Sequence, residues 1–479
     1  LLITCESPRP LAENEPRCRR EVPVESVGMV PAKGFGTEKL DFRPAGLHTQ
    51  YTSAELRSSR RCCYDGQLDE DWELTDAMSL SRLPLSYCTN VHPGRSLEEV
   101  VSGLDSYTVP VSRSFGQPLA AGLWLAAPVI AELTADVRGP RRLAEQLAER
   151  GLVCYTLNAF PYGDFHGERV KEQVYLPDWA APQRLDYTLA CAGILSQLLP
   201  EGTEGSISTV PLGFKHLEQP DGFIGQAIDS LLRWAVEGRR RFEETGSRVR
   251  LAIEPEPLCL LETTDETLAF FGELFEEADR RGVLDVAREY LGVCYDVCHQ
   301  SVEFEDVSGS IRQLDEAGIR LNKIHITCAI ELDDPANNLE GRERLAGFVE
   351  PRYLHQATAR TSDGNVLRFI DLDRDLAESP PSEWLEAETW RVHFHVPVDA
   401  ESLGPLGTTR ADLRRALATV ATDLDYSPHL EVETYTWEVL PGSGRPDLVN
   451  GLTGELNATA ALLAELSGSG SGPVSDRVP

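Results

Sequence analysis

Val249-Arg250-Leu251-Ala252-Ile253-Glu254-Pro255 is a short aliphatic run that ends on a carboxylate followed by proline. The segment 264–280 then carries the spacing of an amphipathic helix, and Leu291-Gly292-Val293-Cys294-Tyr295-Asp296 is a second apolar run that again closes on a carboxylate. Strand, helix and strand make one parallel crossover unit. Working outward, eight such runs recur, at 83–91, 152–158, 206–211, 249–254, 291–296, 322–327, 390–396 and 429–434. Between them lie helix-length stretches. In 223–241, for example, Ile224, Ala227, Ile228, Leu231, Leu232 and Ala235 form one apolar stripe, and 140–150 and 410–421 read similarly. Alternation repeated eight times predicts a closed parallel (β/α)8 TIM barrel.

Two connections are too long for a single helix. Residues 96–150 have room for more than one. Residues 329–389, between the sixth and seventh predicted strands, contain 353–360, the turn Thr361-Ser362-Asp363-Gly364-Asn365 and then 366–372, which predicts an inserted β-hairpin. On the catalytic rim such a hairpin would act as a lid. Residues 1–77 show no sustained period and are rich in Pro, Arg, Ser and Glu, so a disordered extension or a start-site artefact is expected there. The folded barrel is then read over 78–466, with a Ser-Gly repeat opening a flexible tail at 467–479.

Charge narrows the function classes. The 77 Asp and Glu against 45 Lys and Arg give a formal charge of −32, which disfavours any partner bound by neutralising phosphates; no nucleic-acid partner is expected. No apolar run of about 18 residues predicts a transmembrane segment. No leader pattern is evident either, so a cytoplasmic, reducing location is expected, with the 11 cysteines as buried thiols.

In such a barrel the active site forms where the strands end. Those ends carry Asn90 and His92, Asn158 and His166, Glu254, Asp296-x-x-His299, Lys323 and His325, His393-x-His395, and Glu431 with Glu433. Carboxylates mixed with imidazoles suit a hard or borderline divalent cation: Mn, Zn, Mg or Fe. No more than one of His393 and His395 is expected to be a metal ligand. His429 starts its strand, at the wrong end of the barrel, and reads as structural. His216 and His355 read as loop residues that are solvated or touch substrate, and Glu303 and Glu305 as a solvated face. Glu433 is preferred over Glu431 as the inward carboxylate, being nearer the mouth.

The order Glu254, Asp296-x-x-His299, His325, His393-x-His395, Glu433 resembles the xylose-isomerase-like TIM barrels, which include sugar isomerases and epimerases and endonuclease IV. The stretches 85–94, 158–167 and 431–437 are similar to the metabolite traffic family EboE, over roughly residues 82–465. The resemblance implies that Glu254, Asp296, His325 and Glu433 hold one divalent ion and that Glu254 and Glu433 also move protons. It implies that His299, with His393, His395, His92, His166, Asn158 and Lys323, contacts substrate or a second metal. The activity implied is that of a metal-dependent isomerase or epimerase acting on a small polyhydroxylated or cyclic metabolite, within a biosynthesis or export system. Association with other proteins of a metabolite export cluster goes with it. An endonuclease IV-like metallohydrolase or phosphodiesterase, and a non-enzymatic metabolite carrier, are the alternatives.

Overall fold

The computed structural model describes residues 80–81, 83–442 and 446–468. The expected extension 1–77, the start at Met78 and most of the expected tail lie outside the described residues. Seven parallel strands come first: β1 Leu85–Cys88, β2 Leu119–Trp124, β3 Thr156–Asn158, β4 Gly205–Thr209, β5 Val249–Ile253, β6 Leu291–Asp296 and β7 Leu321–Ile326. Four antiparallel strands and a short fifth follow: β8 Ile330–Asp333, β9 Ala357–Arg360, β10 Val366–Phe369, β11 Thr389–Val392 and β12 Gly407–Thr408. The last strand, β13 His429–Val432, pairs with both β7 and β1 and closes an eight-stranded parallel barrel. A helix, Leu448–Gly468, then packs under β1; it includes Ser467, where the tail was expected to begin.

The barrel has the expected number of strands, but one member differs. The second strand is β2, inside the connection 96–150, and the segment 390–396 is not a barrel strand. β2 reads Leu-Ala-Ala-Gly-Leu-Trp, poor in the β-branched residues that mark strands. Its smallness has a tertiary cause. A Cβ on Gly122 would collide with the Glu431 carboxylate, which fills the barrel interior beside it. The insertion accordingly lies between the seventh and eighth barrel strands, later than expected.

That insertion is a five-stranded sheet in the order β10-β9-β11-β8-β12. The predicted hairpin is present as β9 and β10, with Val366 opposite Arg360. Arg368 on β10 ties it to the barrel, its Nε donating to Glu262 at 2.7 Å and its Nη2 to Glu303 at 2.5 Å. Glu303 is therefore buried and paired, contrary to the solvated face expected of it. His355 is buried too, because the sheet covers it and His393 O accepts from its Nδ1 at 2.8 Å. Among the described residues no helix is long and apolar enough to cross a membrane. Cys88, Cys154, Cys191, Cys259, Cys294, Cys298 and Cys328 are buried and unbridged.

Candidate metal centre

Register and strand ends bring four of the sequence-selected residues together. Asp296 closes β6 opposite His325 on β7, while Glu254 and Glu433 lie one residue beyond β5 and β13. Their ligand atoms all lie within 4.8 Å of one another, and all four side chains are buried. His325 Nδ1 faces the three carboxylates: Glu254 Oε1 at 2.9 Å, Glu433 Oε2 at 3.0 Å and Asp296 Oδ2 at 3.4 Å.

Two of the carboxylates are oriented from behind. Asn90 and Asn158 donate to Glu433 Oε1 at 2.9 and 2.7 Å, which turns Oε2 toward His325. Thr327 Oγ1 and the His299 amide donate to Asp296 Oδ1 at 2.6 and 3.1 Å. Asp296 Oδ2 and Glu254 Oε2 are buried and accept no hydrogen bond. Burial raises Glu254 to about 7 against the pull of His325, with Glu433 and Asp296 pushing the same way. Burial also acts to raise Asp296, but the His299, His395 and His325 rings hold it well below the usual carboxylate range. Three buried carboxylates around one imidazole leave negative charge uncompensated, which low-dielectric surroundings make costly. Oxygen-rich donors with one imidazole and two unclaimed buried oxygens fit a divalent cation.

Beside this quartet three imidazoles converge. His299 Nε2 lies 3.1 Å from His393 Nε2, which lies 3.3 Å from His395 Nε2. Each ring gives its other nitrogen to a carbonyl oxygen: His299 Nδ1 to Pro255 O at 2.9 Å, His393 Nδ1 to Gln356 Oε1 at 2.6 Å and His395 Nδ1 to Glu433 O at 2.7 Å. A carbonyl oxygen only accepts, so each Nδ1 carries the hydrogen and each Nε2 of a neutral ring presents a lone pair. Burial lowers His299 to about 4 and, with the neighbouring rings, holds His393 well below the ordinary imidazole value. Both rings of His393-x-His395 thus enter the cluster. They arrive on the irregular segment after β11 rather than on a strand.

Other selected residues sit elsewhere. Lys323 is fully buried below the quartet, 2.6 Å from Glu431 Oε1, with Ser86 donating to Glu431 Oε2 at 2.8 Å. Both glutamates of β13 and its end therefore point inward at different depths. Burial would raise Glu431, but Lys323 and His325 bring it down to about 2. His92 is buried with its Nε2 3.3 Å from the Tyr87 hydroxyl, and His166 Nε2 reaches Asn90 O at 2.8 Å; neither joins the quartet. His429 bonds Ser206 Oγ at 2.8 Å, at the N-terminal end of the barrel.

Reading the strand ends missed Glu256 and Gln356. Glu256 accepts from Tyr175 at 2.7 Å and from Gln356 Nε2 at 3.2 Å, and burial raises it to about 8. Its signal was the Glu-Pro-Glu-Pro after β5; Gln356, in the insertion, had none. Above both clusters opens a cleft lined partly by Asn90, Asn158, Glu254, His299, His393 and Glu433.

No family model and no curated protein matches the chain. Among solved structures, a xylose isomerase-like TIM barrel protein from Mycobacterium smegmatis in complex with magnesium is 12% identical, with TM-score 0.42, over 81% of this chain and 99% of that one. A D-psicose 3-epimerase in the presence of D-fructose is 13% identical, with TM-score 0.42, over 80% and 100%. An AP endonuclease, family 2, from Brucella melitensis is 14% identical, with TM-score 0.32, over 51% and 79%. At such values the likeness carries no weight for the chemistry of this chain.

Proposed function

We propose that this chain is a divalent-cation-dependent isomerase or epimerase of the EboE kind, acting on a small polyhydroxylated or cyclic metabolite. The observation that carries the reading is the buried quartet Glu254, Asp296, His325 and Glu433, in which Glu254 Oε2 and Asp296 Oδ2 lack any hydrogen-bond donor. These four would hold the cation, which when bound supplies polarisation of a substrate carbonyl or hydroxyl. The side chains do the rest. Glu254 and Glu433 both line the cleft, so one carboxylate would take a proton from the carbon beside a substrate carbonyl. The pair then returns a proton to that carbon or to its neighbour. Asn90 and Asn158 keep Glu433 aimed at the centre while this happens.

Metal analysis of the full chain tests the reading, beside Glu254→Gln and His325→Ala. About one equivalent of Mn, Zn or Fe, lost in both variants, supports it and justifies a screen of ketose and cyclitol substrates. A folded chain that takes up no metal when it is added back removes it.

A second reading, a metallohydrolase with two cations, is favoured by the three converging imidazoles. His299 and His395, with Asp296 shared, would hold the second ion. Two equivalents, one of them lost in His395→Ala alone, would favour it over the isomerase.

A further inference from the structure

We infer that the cleft selects a cyclic substrate with an apolar face, and that it excludes phosphate esters. This rests on the cation-binding reading above and adds the class of molecule to it.

Part of the cleft wall is apolar: Phe160, Phe165, Tyr175, Tyr353, Leu354 and Tyr435 line it together with the polar clusters. Phe165, Tyr353 and Tyr435 touch one another, with ring centroids 4.9 Å apart for Phe165–Tyr353, 5.3 Å for Phe165–Tyr435 and 4.9 Å for Tyr353–Tyr435. Tyr435 also lies 4.7 Å from the His395 ring, so the aromatic surface continues directly into the imidazole cluster. A molecule seated there would meet ligand atoms at one end and apolar and aromatic side chains along its body.

The charges point the same way. Among the described residues lining the cleft the sole side-chain cation besides histidine is Lys171, and its ammonium is spoken for. Nζ donates to Glu350 O at 3.1 Å, Tyr353 O at 2.6 Å and Asp371 Oδ2 at 2.7 Å, which uses all three of its hydrogens. Glu254, Glu256 and Glu433 line the same space. A phosphate monoester would bring about two negative charges past these carboxylates, with the bound cation alone and no guanidinium or free ammonium to receive them. A sugar with hydroxyls on every side would press some of them against Phe160, Phe165 and Leu354, which cannot pair them. Of the two metabolite types named above, the cyclic one with few hydroxyls suits this wall.

Two chelators with identical oxygen pairs test the inference on the full chain loaded with Mn2+. Acetohydroxamate ends in a methyl group and benzohydroxamate in a phenyl ring; inorganic phosphate is the third probe, and all are titrated by calorimetry. Benzohydroxamate is expected to bind about tenfold or more tighter than acetohydroxamate, as the added buried apolar area requires, with phosphate weakest. In Phe165→Ala the preference should fall to about threefold or less; Phe165→Leu, which keeps an apolar side chain but no ring, should lie between. Equal affinities for the two hydroxamates, or tighter phosphate, overturn the inference while leaving the cation reading intact. A folded chain that binds no Mn2+ overturns both, and the metal titration that precedes the probes reads that outcome separately.

Discussion

His299 Nε2 and His393 Nε2 lie 3.1 Å apart with no hydrogen to share between neutral rings, because each ring has already given its Nδ1 hydrogen to a carbonyl oxygen. Lone pairs facing each other at that distance repel unless a cation or a proton sits between them. Adding Zn2+ or Mn2+ to chelator-treated protein is therefore expected to raise Tm by a few degrees, through binding to the folded state alone. His393→Asn should lose part of that rise without losing the quartet's ion. Thermal scans with and without metal read both effects, and a rise that is the same in His393→Asn as in the wild type would contradict the geometry.

Glu254→Gln should separate metal binding from stability. Glu254 Oε2 is buried and accepts nothing, so in metal-free protein its carboxylate is a cost. Replacing it by a neutral amide of the same shape is expected to raise the Tm of the metal-free protein, by about 1 kcal/mol or more of added stability, while the metal-induced rise shrinks. Chemical unfolding with and without chelator measures the two changes. A metal-free variant less stable than the wild type would count against the charge imbalance described above.

Gly122→Ala should be severe for a change of one methyl group. The added Cβ meets the Glu431 carboxylate inside the barrel, and Glu431 cannot swing away without leaving Lys323. A loss of about 3 kcal/mol is expected, at the upper end for overpacking. Gly225→Ala is the control, since its Cβ points into open space within the helix Phe223–Thr245; there a gain of about 0.5 kcal/mol is expected from helix propensity. Urea unfolding of both variants makes the comparison.

Acid should destabilise the fold through histidines outside the metal quartet. Burial lowers His92 and His429 from 6.5 to about 3 in the folded chain. The unfolded chain protonates them near 6.5, so their stabilising contribution is complete above that pH and is lost as pH falls from about 6.5 toward 3. Each contributes a slope of up to about 1.4 kcal/mol per pH unit in that window. His429→Asn, which can still reach Ser206, is expected to flatten the profile between pH 6 and pH 4, as measured by urea unfolding at several pH values. An unchanged slope would mean that His429 becomes protonated while the chain stays folded.

What the sequence determined by itself was local. The apolar runs ending in Glu254, Asp296 and His325 stand on β5, β6 and β7, because a strand buried on both faces needs a continuous apolar stretch and polar residues are tolerated where it emerges. The hairpin around Gly364 was legible because that turn needs a left-handed residue, and Gly364 has φ 86°. What only the tertiary structure decided was non-local. β2 is a strand in spite of its Ala-Ala-Gly composition, because its neighbours pair with it and Glu431, far along the chain, takes the space a larger residue would fill. Residues 390–396 look like a strand of the barrel, yet β11 found antiparallel partners in β8 and β9 and left His393 and His395 free to turn into the mouth. Lys323 has the pattern of a rim residue, but its level in β7 places it beside Glu431, below the quartet. Periodicity records which face of an element is buried; depth along a barrel axis and choice of pairing partner depend on chain segments that no local window contains.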